Sequence, residues 1–95
     1  MNKLEADYAN LLNTNKKIGL NHGFLFEQIK LRLADKTFYT PDFMVIGKGG
    51  EIEMHEVKGF MRDDAAVKLK VAAEQFPFRF ILAKKVKGKW QIKEI

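Results

Sequence analysis

The chain has 95 residues, of which 46% are hydrophobic and 31% are charged, and its 17 Lys and Arg against 12 Asp and Glu give a net charge of +5. A chain of this length closes one modest core, so we predict a single domain over residues 1–95. The sequence contains no cysteine, which excludes disulfides, thiolate zinc sites and a cysteine nucleophile.

The first third of the sequence has the pattern of a helix followed by a strand. Apolar side chains recur at three- and four-residue steps at Leu4, Tyr8, Leu11 and Leu12. This spacing predicts an amphipathic helix over residues 2 to about 17, and the Asn-, Lys- and Gly-rich segment 13–23 predicts its end and a loop. Residues 24–33 alternate in polarity and predict a strand, followed by a turn at residues 35–36.

Four further strands and a second helix are predicted in the rest of the chain. They are strands at residues 37–46 and 51–58 with a tight connection at 47–50, a helix from about residue 62 to 76, and strands at 78–86 and 90–95 with a turn at 87–89. Acids at the start of the second helix and a proline directly after it are typical helix boundaries. The order α-β-β-β-α-β-β predicts a mixed α/β or α+β fold whose helices cover a central sheet.

The predicted hairpin brings two acids together. Both of its strands carry apolar residues at even-numbered positions, so a three-residue connection pairs Met44 with Met54 and sets Asp42 directly opposite Glu56. Like charges in these positions destabilise a hairpin unless one acid is protonated or a cation lies between them. Lys58 supplies one positive charge on the same face. Mg²⁺ would supply two, and a lysine beside it can activate a water that attacks a phosphate. The alternative is a pair of solvated acids at strand ends.

The residues of this hairpin resemble a known signature. The segments YTPDF and HEVKGF contain Pro41-Asp42 and, after thirteen intervening residues, Glu56-Val57-Lys58. This arrangement resembles the PD-(D/E)xK motif of the restriction-endonuclease-like nucleases, and the two segments are similar to those of small phage-type endonucleases. The resemblance implies an αβββαβ core, here with an additional C-terminal strand.

The resemblance also implies roles for individual residues. Asp42 and Glu56 would be direct ligands of Mg²⁺ or Mn²⁺, together with the backbone carbonyl of Val57, and Lys58 would act on the nucleophilic water. Glu5 matches a glutamate that reaches the metal from the first helix, although an exposed helix acid is the alternative. No small-molecule cofactor is expected.

Basic residues provide candidate contacts to the nucleic-acid backbone. The net positive charge suits a polyanion, although a solvated surface is the alternative. Members of the resembled superfamily often use basic residues near the second helix, which here are Arg62 and Lys68, but Lys68 could instead pair with Asp64. Lys84 and Lys85 lie near the last turn and suit phosphate contact or a protected sheet edge.

These observations lead to a functional hypothesis. We predict a metal-dependent endodeoxyribonuclease that is selective for DNA structure, such as a junction, branch or flap, in phage or prophage recombination, repair or packaging. A homodimer would double the small surface that one chain offers for contact with DNA. The alternative is a non-catalytic nucleic-acid-binding or protein-interaction module on the same fold. No apolar run approaches the about 20 residues of a membrane helix, so we expect a cytoplasmic protein without membrane contact, in the host cytoplasm if it is phage-encoded.

Overall fold

The computed structural model describes residues 1–59 and 63–95, without the side chain of residue 63. Its elements are α1 (Lys3–Lys17), β1 (Asn21–Phe26), β2 (Leu31–Ala34), β3 (Thr37–Tyr39), β4 (Phe43–Gly47), β5 (Ile52–Lys58), α2 (Asp63–Gln75), β6 (Arg79–Val86) and β7 (Lys89–Glu94). Two helices and a central mixed sheet of five strands, within the described ranges, confirm the predicted mixed α+β class. No helix in these ranges is long and apolar enough to cross a membrane.

The first helix begins where the sequence predicts. Asn2 caps it, because the Asn2 Oδ1 accepts a hydrogen bond from the Glu5 N–H and the Glu5 Oε1 accepts one from the Asn2 N–H, both at 2.8 Å. These two bonds satisfy amides that lack partners inside the helix. The helix continues to Lys17 and β1 starts at Asn21, so the loop predicted over residues 13–23 is much shorter than expected.

The central sheet has the strand order β1-β4-β5-β6-β7. All neighbouring strands are antiparallel except β5 and β6, which are parallel. A parallel pair needs a long crossover connection, and α2 provides it. Strands β2 and β3 form a separate two-stranded sheet.

Two of the predicted strands were wrong, because each is interrupted. The strand predicted over residues 24–33 is divided into β1 and β2, which belong to different sheets. Glu27 directly follows β1 and has a φ of 50°, in the left-handed region that a strand does not use. The strand predicted over residues 37–46 is divided into β3 and β4 around Pro41, which lacks the N–H that a central strand needs.

The register predicted for the central hairpin is confirmed. Met44 pairs with Met54 and Ile46 pairs with Ile52. The turn between β4 and β5 contains Gly50 with a φ of 87°, a conformation in which glycine avoids a steric penalty. Because side chains alternate along β5, this register fixes which residues face each helix.

The two faces of the central sheet pack against different partners. The face toward α1 buries Tyr8, Leu12, Phe43, Val45 and Ala83. The opposite face packs against α2 and the β2–β3 hairpin, and it buries Leu31, Tyr39, Met54, Leu69, Ala72 and Phe80. Glu56 and Lys58 alternate with Met54 and therefore belong to the face toward α2.

Replacing Phe43 tests the core under α1. This side chain is 0% exposed, and its ring centroid lies 5.2–5.9 Å from those of Tyr8, Phe24 and Phe26. We expect Phe43→Ala to lower the free energy of unfolding by about 3–5 kcal/mol, because it leaves a cavity in a packed cluster. Urea unfolding measures the loss. Leu25→Ala on neighbouring β1, where the side chain is 47% exposed, is the control with an expected change of about 0.5 kcal/mol. Equal losses would contradict this packing.

Candidate metal centre

Asp42 is fixed in the short segment between β3 and β4. Its Oδ2 accepts a hydrogen bond of 2.8 Å from the backbone N–H of Val57 on β5. Its backbone carbonyl accepts one of 2.9 Å from the N–H of Glu27. The last pair of the β4–β5 ladder is Phe43 with His55, so Asp42 lies just beyond the ladder, beside Glu56.

Glu56 lies against Asp42 and is half-buried on the face toward α2. The Tyr39 hydroxyl donates a hydrogen bond to the Glu56 Oε1. Burial, followed by the hydrogen bond and the negative charge of Asp42, raises the pKa of Glu56 to about 9, although the Tyr39 hydrogen bond opposes this shift. Glu56 is therefore protonated near neutral pH when no cation is bound. Protonation is one of the two ways in which the opposed acids are expected to avoid repulsion.

Two more acids lie next to Asp42. Glu5, Glu27 and Asp42 each offer a carboxylate oxygen, and these oxygens all lie within 4.8 Å of one another. The first turn of α1 carries Glu5, which the resemblance to PD-(D/E)xK nucleases implies as a residue that reaches the site. Glu27 was missed, because residues 24–33 were interpreted as one strand. The only feature of the nearby sequence that marks Glu27 is that a charged residue directly follows the apolar residues of β1.

The donor set of this cluster suits a hard divalent cation. Carboxylate oxygens are the ligands that Mg²⁺, Mn²⁺ and Ca²⁺ prefer. Asp42 and Glu56 form the close pair, while Glu5 and Glu27 extend the negative surface from α1 and from the end of β1. Together these four residues, which we call the acidic centre, fit the predicted cation.

Lys58 and Lys84 are neighbours at the ends of two parallel strands. They are paired positions in the β5–β6 register, and Lys58 shares the face of Glu56. Lys85 lies on the other face, where its Nζ is 3.0 Å from the Asp7 Oδ2 and 5.6 Å from the centroid of the Trp90 ring. Lys85 therefore forms an ion pair with Asp7 on that face, and its contact with phosphate stays a prediction.

Two other basic residues, Lys68 and Arg62, were also predicted to contact the nucleic-acid backbone. Lys68 is half-buried on α2, and no ion pair joins it to Asp64 among the described residues. The alternative in which these two side chains pair is therefore not supported. Arg62 lies outside the described residues, and its phosphate contact stays a prediction.

A chain of hydrogen bonds on the opposite face was not predicted. The Tyr8 hydroxyl lies 2.6 Å from the His55 Nδ1, the His55 Nε2 lies 2.8 Å from the Glu53 Oε1, and the Arg79 Nη1 donates to the Glu53 Oε2 at 2.8 Å. Burial lowers the pKa of His55, so the neutral ring accepts from Tyr8 and donates to Glu53. His55 therefore serves the core under α1 and does not face Glu56.

Comparisons with known proteins do not identify a relative. No protein-family model, curated protein or solved structure matches this chain significantly.

The raised pKa of Glu56 predicts a pH-dependent loss of stability. The folded protein holds this proton up to about pH 9, whereas the unfolded chain releases it near pH 4.5. Unfolding therefore releases a proton in this interval, and the free energy of unfolding falls as pH rises, by up to about 1.4 kcal/mol per pH unit.

Glu56→Gln tests this dependence, because the amide keeps the shape and the neutral hydrogen bonds but does not titrate. We expect the variant to lose much less stability than the wild type between about pH 6.5 and about pH 8.5, because the comparison of the two proteins isolates the contribution of Glu56. Urea unfolding in the presence of a chelator measures both proteins. Parallel pH profiles would contradict a neutral Glu56.

Proposed function

We propose that this protein is a divalent-metal-dependent endodeoxyribonuclease. The observation that carries the proposal is the pair of acids Asp42 and Glu56, held in contact across the β4–β5 hairpin with Lys58 on the same face as Glu56. A half-buried pair of acids destabilises a fold when both are ionised, and strongly shifted pKa values such as that of Glu56 concentrate at functional sites. A bound cation would remove the repulsion that the proton now relieves.

The order of the elements around the acidic centre supports the same assignment. Strands β5 and β6 are parallel neighbours. When the β2–β3 hairpin is set aside, the order of the elements along the chain is α1, β1, β4, β5, α2 and β6. This is the αβββαβ order that the resemblance to PD-(D/E)xK nucleases implies. In that interpretation the β2–β3 hairpin is an insertion after the first core strand, and β7 is the additional C-terminal strand.

The cation would be held by Asp42, Glu56 and the backbone carbonyl of Val57, with Glu5 reaching the site from α1. When bound, Mg²⁺ or Mn²⁺ supplies Lewis-acid polarisation of a phosphate. Glu56 must release its proton to act as a ligand, so cation binding is coupled to pH. Lys58 orients the attacking water or stabilises charge that develops on the phosphate.

The distribution of basic residues supports a nucleic-acid substrate. Lys58 and Lys84 lie side by side on the face toward α2, and Lys68 lies on that helix. Contacts of lysines to phosphates give affinity without sequence information. A domain of 95 residues offers few base contacts, which favours a DNA junction, branch or flap as substrate, in phage or prophage recombination, repair or packaging. A homodimer would supply two such centres.

Cleavage assays with a lysine variant test this proposal. We expect the wild type to cut one or more members of a labelled panel of four-way junction, flap, linear duplex and single strand in Mg²⁺ or Mn²⁺, and to be inactive in chelator. Lys58→Ala should lower the cleavage rate by about 100-fold or more, because it removes the group that acts on the water. Lys48→Ala is the matched control, since it removes the same charge from an exposed position at the other end of the hairpin.

Two results would contradict the proposal. Binding of the DNA panel without cutting in either metal would favour the non-catalytic module. Equal cutting by wild type and Lys58→Ala would remove the assignment of the acidic centre as the active site.

A further inference from the structure

The residue that holds Glu56 comes from outside the central sheet. Tyr39 is the last residue of β3, in the small β2–β3 sheet that packs against α2. Its side chain is 6% exposed, and its hydroxyl donates to the Glu56 Oε1. The β2–β3 hairpin therefore delivers a hydrogen-bond donor to one acid of the proposed metal centre.

The hydroxyl of Tyr39 is not needed for the apolar packing around its ring. A phenylalanine would fill the same position among the apolar residues under α2, which include Leu31, Leu69 and Ala72. A buried hydroxyl without a partner destabilises a fold, and Glu56 is the partner present here. The hydrogen bond from Tyr39 to Glu56 is thus an interaction that the apolar packing of the ring does not require.

The segment that carries Tyr39 is fixed at both ends. At one end, the β2–β3 sheet is attached to α2, where the Gln75 Nε2 donates to the Leu33 carbonyl at 3.2 Å. At the other end, Asp42 accepts the Val57 N–H at 2.8 Å. Only two residues, Thr40 and Pro41, separate the donor to Glu56 from the acid that contacts Glu56, and this short segment is held on both sides.

We propose that Tyr39 is a positioning residue that orients the Glu56 carboxyl group toward a divalent cation. The inference rests on the proposed function, because it takes the acidic centre to be a cation site. Tyr39 holds one oxygen of Glu56, and Asp42 contacts the same carboxyl group, so rotation of the group is restricted. Partners that orient a ligating carboxylate raise metal affinity, and their loss weakens it by about 10–100-fold.

The opposite face of the sheet offers a matched control. Tyr8 is 2% exposed, and its hydroxyl lies 2.6 Å from the His55 Nδ1. Tyr8→Phe removes a buried phenolic hydroxyl that bonds to β5, as Tyr39→Phe does, but it does not touch an acid of the centre. A purely structural effect of losing such a hydroxyl is therefore expected in both variants.

Calorimetric titration with Mn²⁺ tests the proposal on wild type, Tyr39→Phe and Tyr8→Phe. We expect the dissociation constant to rise by about 10-fold or more in Tyr39→Phe, and to stay at the wild-type value in Tyr8→Phe. Thermal unfolding in chelator, with Glu56→Ala and the double variant, establishes the contact independently, because alanine cannot accept the Tyr39 hydrogen bond. The double variant should lose less in Tm than the sum of the single losses, because both changes remove the same hydrogen bond.

The results of these measurements distinguish failure of the positioning role of Tyr39 from failure of the proposed nuclease function. Wild-type affinity in Tyr39→Phe, or an equal loss in both tyrosine variants, would overturn the positioning role and leave the nuclease proposal standing. Weakened binding in Tyr39→Phe alone, without DNA cleavage by the wild type, would support the positioning role and overturn the nuclease. Absence of Mn²⁺ binding to the wild type would overturn both.

Discussion

The contact between the carboxyl groups of Asp42 and Glu56 is the constraint on which the organisation of this protein depends. Two acids at this separation cannot both be ionised without a compensating charge. The fold nevertheless holds them firmly: the register of β4 and β5 aligns the strands, the Val57 N–H binds one carboxylate, and the Tyr39 hydroxyl binds the other. Hydrogen bonds from a neighbouring strand and from a second sheet thus converge on a pair of groups that repel each other when charged.

The cation that we propose would replace the proton that neutralises Glu56. Because the proton and the proposed cation would neutralise the same charge, they would compete, and cation binding would become stronger as pH rises. Glu5 and Glu27 add negative charge beside the pair. Lys58 and Lys84 provide positive charge at the ends of β5 and β6. Asp42, Glu56 and these two lysines thus lie on or beside the β4–β5 hairpin and the neighbouring strand β6, whereas Glu5 comes from α1 and Glu27 from the end of β1.

Features that depend on local periodicity could be predicted from the sequence. The spacing of Tyr8 and Leu12 predicted α1, and the even-numbered apolar residues with a glycine-containing turn predicted the pairing of Met44 with Met54. The breaks after β1 and before β4 could not be predicted in this way, because alternation looks the same in one long strand and in two strands of different sheets. Tyr39 and Glu27 were missed for a related reason. Both residues reach the acidic centre through contacts with residues distant in sequence. The local spacing of residue types does not predict such contacts.

The distribution of the four acids along the chain has a kinetic consequence. Glu5 is near the start of α1, Glu27 follows β1, and the other two lie on either side of the β4–β5 turn. Helix formation and hairpin closure alone do not bring all four together, because contacts between residues distant in sequence form only as the sheet assembles. Repulsion among the acids therefore develops only as the native state is completed. A cation bound to the completed cluster would accordingly lengthen the lifetime of the native state, with little effect on how fast that state is reached.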